Sequence, residues 1–127
     1  MSEEYKKQFM NRRRTGTEKE TLAAAYLKKK GYTILECNYR CRYGELDIVA
    51  RHENTLVIAE VKYRSSERCG DPAEAVDLRK QKKICRVTMD YLMRHPYFQG
   101  RPCRFDVIAI YGNGQIRHIE DAFLYCS

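Results

Sequence analysis

The sequence predicts a single α/β domain whose elements run helix, three strands, helix, two strands. Three observations lead there. The 127 residues suffice for one domain with a substantial core. Two segments rich in helix formers end at breakers, Gly31 and Pro96. Between and after them lie five short runs that alternate or are continuously apolar and are bounded by turn residues. The expected division is a basic, flexible N-terminal arm over residues 1–15 and one domain over 16–127.

The first helix is expected over residues 17–30. Thr17 and Glu20 have the spacing of a capping box, and Gly31 is placed to stop the helix. Residues 32–39 read as a strand, 40–44 as a turn, and 45–51 and 55–63 as an antiparallel hairpin around a short turn. Pro72 fits the first turn of a second helix that runs to about Arg94, where Pro96 forbids continuation. Residues 104–111 form a strongly apolar strand. Gly112-Asn113-Gly114 makes a turn, and 115–120 a closing strand.

Composition narrows the function. Lys and Arg number 24 against 17 Asp and Glu, a net charge of +7. The cations cluster at Arg12, Arg13 and Arg14, at Lys28 to Lys30, and at Arg79, Lys80, Lys82, Lys83 and Arg86. Any one run fits a solvated helix face, but three in so short a chain favour a polyanionic partner, because cations that neutralise phosphates release counterions. Six cysteines lack Cys-x-x-Cys spacing or a nearby histidine pair, which argues against zinc. No secretory leader is evident and the longest apolar run is Leu22 to Leu27, so reduced thiols, no membrane association and a cytoplasmic location are expected.

The carboxylates are the unusual feature. On the strand from Leu56, positions 56, 58, 60 and 62 share a face, so Glu60 and Lys62 continue the apolar face of Leu56 and Ile58. Asp47, between Leu46 and Ile48, shares its face with Glu45 and Val49, and the hairpin brings it towards Glu60 and Lys62. Two readings stand at this point. One is a structural Glu–Lys pair beside an edge aspartate. The other is a site for a hard cation, which prefers carboxylates, carbonyls and water. On the second helix, Val76, Lys80, Ile84, Val87 and Tyr91 fall in one stripe. Lys80 near its centre either reaches an acid inside the fold or points to a bound phosphate. On the first helix Glu20 shares a face with Ala24 and Leu27, which suits core or cap duty as well as a site.

The strings Gly44-Glu45-Leu46-Asp47-Ile48-Val49-Ala50 and Glu60-Val61-Lys62-Tyr63-Arg64 resemble the relaxed Asp…Glu-x-Lys signature of the PD-(D/E)xK nuclease superfamily. Gly31-Tyr32, Asn38-x-Arg40, Glu74-Ala75-Val76, Lys80-Gln81 and Arg104-Phe105-Asp106-Val107 extend the likeness. From about Arg13 to Phe123 the chain is similar to the YraN-like family of small bacterial proteins, themselves similar to archaeal Holliday-junction resolvases. The resemblance implies a restriction-endonuclease-like core, with a mixed five-stranded sheet flanked by helices. It implies Mg²⁺ or Mn²⁺ held by Asp47, Glu60 and the Val61 carbonyl, with Glu20 and Glu45 as further candidate ligands and Lys62 as the catalytic lysine. Leu46 stands where the strict signature has proline.

The leading expectation is a metal-dependent DNA endonuclease, with branched or junction DNA suggested by the family alone. Arg12, Arg13, Arg14, Arg40, Arg42, Arg64 and Lys80 are candidate phosphate contacts. A homodimer suits a four-way junction, which has two strands to cut symmetrically. The alternatives are a non-catalytic nucleic-acid-binding protein on the same core, and a structural or interaction protein.

Overall fold

The computed structural model describes residues 14–64 and 76–125, with side chains from Glu20 onward. Helix α1 (Arg14–Lys29) is followed by strands β1 (Thr33–Cys41), β2 (Gly44–His52) and β3 (Thr55–Arg64). Helix α2 (Leu78–Arg94), a short 3₁₀ turn (Pro96–Phe98), and strands β4 (Cys103–Tyr111) and β5 (Ile116–Phe123) complete the order. The five strands form one sheet in the order β1-β2-β3-β4-β5. β3 and β4 are parallel and every other pair is antiparallel, so the sheet is mixed, as the resemblance implied.

The parallel pair explains the sequence of the centre. Parallel neighbours need a crossover that carries a helix, here α2, and strands covered on both faces read as continuous apolar runs. Leu56 to Val61 and Phe105 to Tyr111 are buried without interruption. Alternate residues serve different helices. Leu56, Ile58, Phe105 and Val107 pack with Ile84, Val87 and Tyr91 of α2. Val57, Ala59, Val61, Ile108 and Ile110 pack with Ala23, Ala24 and Leu27 of α1.

Helix ends follow local chemistry. Gly31, at φ +92°, closes α1: its N–H donates to the Lys28 carbonyl (3.0 Å), and Tyr32 N–H donates to Leu27 (3.0 Å). That pair of bonds is the Schellman pattern, with Leu27 and Tyr32 in the same core beneath it. The start of α1 differs from expectation. The backbone is helical from Arg14, so the helix takes in two residues of the expected arm, and Thr17 lies inside it. A Thr-x-x-Glu spacing marks a permissible start, but one cap contributes about 1 kcal/mol and does not forbid another helical turn before it. Residues 1–13 of that arm lie outside the described residues.

The start of α2 is also corrected. Pro72 lies outside the described residues, and the helix begins at Leu78 behind Asp77, whose carboxylate accepts the Lys80 N–H at 2.8 Å. Proline tolerates a first turn without specifying it, whereas an N-cap side chain satisfies a donor the helix leaves orphaned. The end at Arg94, before Pro96, is as expected.

Candidate active site

The β2–β3 ladder is regular from His52↔Thr55 to Ile48↔Ala59 and its register ends there. At that point β2 changes face. Gly44 and Leu46 face α2, yet Ile48 and Ala50 pack towards α1 and Val49 returns to α2. Strict alternation cannot place Leu46 and Ile48 on opposite sides, so the strand turns over at Asp47. The Asp47 carboxylate takes the main-chain N–H that a continued ladder would have used: Val61 N donates to Oδ2 at 2.9 Å. The side chain is thereby fixed beside Glu60, the residue preceding Val61.

Glu60 continues the face of Leu56 and Ile58 and is only 6% exposed. A buried carboxylate requires compensation. Two ammonium groups supply it on the same oxygen, Lys80 Nζ at 3.3 Å and Lys62 Nζ at 3.5 Å from Oε1. Of the two readings for Lys80, the structure shows the one in which it reaches an acid inside the fold. Burial works against the Lys80 charge, but Glu60, with Asp47 and Glu45 farther off, outweighs it and raises its pKa. Among the described residues no such cation pairs with Asp47. Burial, and then the Glu60 carboxylate, push its pKa up to about 7 against the lowering effect of the Val61 N–H.

The other expected residues divide. Glu20 accepts a hydrogen bond from Asn38 Nδ2 at 2.5 Å, and it is near enough for its charge to raise Asp47. Asn38 has φ +56° in the middle of β1, a conformation that asparagine tolerates better than most residues. Its presence in a strand, where asparagine is depleted, was the available signal for a special role. Glu45 pairs with Arg40 at 2.8 Å on the exposed hairpin. Arg42 and Lys80 line a cleft of about 480 Å³ between the β1–β2 turn and α2. Lys83 lines it too, although its sequence run is equally compatible with a solvated face. Arg64 is half-buried, and its Nε is buried without a hydrogen-bond partner among the described residues, which does not suit an exposed phosphate contact. Arg12, Arg13 and the Arg14 side chain lie outside the described residues.

A second buried polar centre lies within the sheet. Asp106 is fully buried and accepts from Arg104 Nε and Nη2 (both 2.9 Å), the Asp121 N–H (3.0 Å) and His118 Nε2 (2.7 Å). Arg104 also donates to Tyr32 Oη at 2.7 Å. With its acceptor positions engaged, this carboxylate ties β4 to β5 and to the end of α1 and offers nothing to a ligand. Cys37, Cys41 and Cys103 are free thiols. Among the described residues no helix is long and apolar enough to cross a membrane.

Residues 19–110 match the model of the uncharacterised protein family UPF0102. The UPF0102 protein of Lachnoclostridium phytofermentans is 46% identical over 114 residues, which cover 90% of this chain and 96% of the relative. That of Moorella thermoacetica is 47% identical over 108 residues, covering 85% and 89%. That of Persephonella marina is 43% identical over 108 residues, covering 85% and 91%. A family match over 92 of 127 residues, with relatives above 40% identity covered over nearly their whole length, means that the chain belongs to UPF0102, the YraN-like family with a restriction-endonuclease-like core.

Proposed function

We propose that this protein is a metal-dependent endonuclease acting on DNA. One observation carries the reading: Asp47 and Glu60 converge where the β2–β3 register ends, with Lys62 and Lys80 both on Glu60 Oε1. The donor set fits magnesium or manganese. These ions bind through one or two carboxylates and keep several waters. Among the described residues no group of three or more His, Cys, Asp or Glu side chains is placed to hold a metal; in this reading Asp47 and Glu60 are the side-chain donors and water completes the shell. The Val61 carbonyl is the third protein ligand in this reading. Glu20 and Glu45 already have partners in Asn38 and Arg40.

The chemistry supplied by a bound divalent ion is polarisation of the phosphoryl oxygen and a lower pKa for water. The protein's own groups do the remainder. The Val61 N–H holds Asp47 in place, so the carboxylate needs little reorganisation. Lys62, 24% exposed at its side chain, is the catalytic lysine that orients the attacking water and offsets charge on the phosphate. Lys80 lies at the cleft with its ammonium on Glu60, so it balances that carboxylate beside the substrate strand.

Cleavage of linear, flap and junction DNA in Mn²⁺ and Mg²⁺ tests the proposal. Asp47→Asn and Lys62→Ala should each lose about 10²-fold or more in rate while melting like the wild type. Equal cleavage by Asp47→Asn would defeat it. A second reading, a DNA-binding protein that does not cut, is favoured by the fact that Glu60 is already neutralised by two lysines. It predicts salt-sensitive DNA binding with no product in either metal.

A further inference from the structure

Two clefts lie side by side between the β1–β2 hairpin and α2, of about 480 Å³ and 620 Å³. Both are lined by Arg40, Cys41, Arg42 and Tyr43, so they make one groove. Lys80 stands at its inner end, with its ammonium on Glu60. Met89 and Met93 stand at its outer end. The span of α2 from Lys80 to Met93 is about 20 Å.

The lining has a specific chemistry. Arg40 is neutralised by Glu45 and Arg94 by Asp90, but Arg42, Lys83 and Arg86 have no carboxylate partner among the described residues. Tyr43 holds the Arg42 and Arg86 guanidinium groups 4.8 Å and 4.4 Å from its ring centre, and Arg42 Nη2 donates to its hydroxyl at 2.6 Å. Two flat cations are therefore positioned without being neutralised. Beside them Met89 is 45% and Met93 71% exposed, an unusual surface for unbranched apolar side chains.

We propose that this groove binds a single-stranded nucleic-acid arm that leads away from the scissile phosphate, an inference that rests on the nuclease reading above. A blunt duplex presents phosphates outward and keeps its bases stacked inside, so it would use the arginines and leave the methionines idle. An unpaired strand uses both, with phosphates on the cations and base faces on guanidinium planes and soft apolar surface. At about 3.4 Å per stacked nucleotide, or more if extended, the groove takes about three to six of them. The substrate class that follows is DNA with a duplex-to-single-strand transition.

Fluorescence anisotropy of the full chain in EDTA tests this with three labelled DNAs: a 12-nucleotide single strand, a duplex with a single-stranded arm, and a blunt duplex. The armed duplex and the single strand should bind about tenfold or more tighter than the blunt duplex. Met89→Ala/Met93→Ala, two exposed positions, should weaken the armed duplex several-fold and the blunt duplex not at all. Arg42→Ala/Arg86→Ala should weaken both armed and single-stranded DNA about tenfold. Equal affinity for armed and blunt duplexes, or an unchanged armed-duplex affinity in the methionine variant, overturns the proposal. So does displacement of the arm by polyglutamate as readily as by unlabelled oligonucleotide, which would mark a surface for acidic polypeptides. Mn²⁺-dependent cleavage of the same DNAs separates the two readings. Cleavage without arm preference overturns the groove alone. Arm preference with no cleavage supports the groove as a single-strand site and removes the nuclease.

Discussion

Asp106 shows how much one side chain can hold. Asparagine there keeps the shape but removes the charge facing Arg104 and His118, both largely buried. Breaking one partner of such a cluster leaves uncompensated polar groups, and we expect Asp106→Asn to cost about 3–5 kcal/mol in urea unfolding. Burial alone would raise the Asp106 pKa. The hydrogen bonds from His118, Arg104 and the Asp121 N–H outweigh it, and its pKa is lowered. A carboxyl held below its unfolded value stabilises the fold fully above that value, about pH 4, and loses the contribution as pH falls through the folded pKa. Urea midpoints should therefore drop below about pH 4 in the wild type, and less steeply in Asp106→Asn. Asp106 belongs to a strand string quoted for its resemblance, yet its role was not legible there, because its partners beyond Arg104, His118 and the Asp121 N–H, come from β5. Glu60 was legible. A glutamate in phase with Leu56 and Ile58 is an anomaly in one strand, and no other element is needed to notice it.

At the scale of elements, the two helices end and begin on single residues that can be tested. Gly31 has open space around it, so its φ of +92° is the whole of its requirement. Gly31→Ala should destabilise the protein by about 1–2 kcal/mol, measured as a loss in urea midpoint without a change in slope. Asp77→Ala removes the cap on the Lys80 N–H and should cost about 1 kcal/mol. It also loosens the turn that presents Lys80 to Glu60, so the rate of metal-dependent cleavage is expected to fall with it. Gly31 was readable as a stop because left-handed backbone is a local demand. Asp77 was overshadowed by Pro72, since both residue types are compatible with helix starts and sequence alone does not rank them. The reversal of β2 at Asp47 is likewise absent from the pattern, in which Leu46 and Ile48 occupy the same face.

For the molecule as a whole, charge makes the clearest forecast. If Arg42, Lys83 and Arg86 each meet a phosphate, log affinity for single strands should fall with log salt at a slope of about −2. The fluorescence titration repeated between 50 and 200 mM salt, ionic conditions on the order usual for such slopes, reads it directly. A slope near zero would show that the groove cations do not carry the binding. The net charge of +7 led to the expectation of an anionic partner. It did not say which of three basic runs faces it, because a run's position on a helix gives no information about the hairpin opposite.

Taken alone, the sequence determined the element order, the two apolar central strands and the odd carboxylates at positions 47 and 60, since these depend on periodicity within one segment. Tertiary structure decided which acids share space. It set Asp47 against the Val61 N–H, gave Glu60 two lysines from different elements, and tied Glu20 and Glu45 to other partners. It also built the Arg42–Tyr43–Arg86 surface from a turn and a helix far apart in the chain. The reason is physical: periodicity reports which face a residue occupies, whereas charge compensation depends on distances across the sheet that only packing establishes.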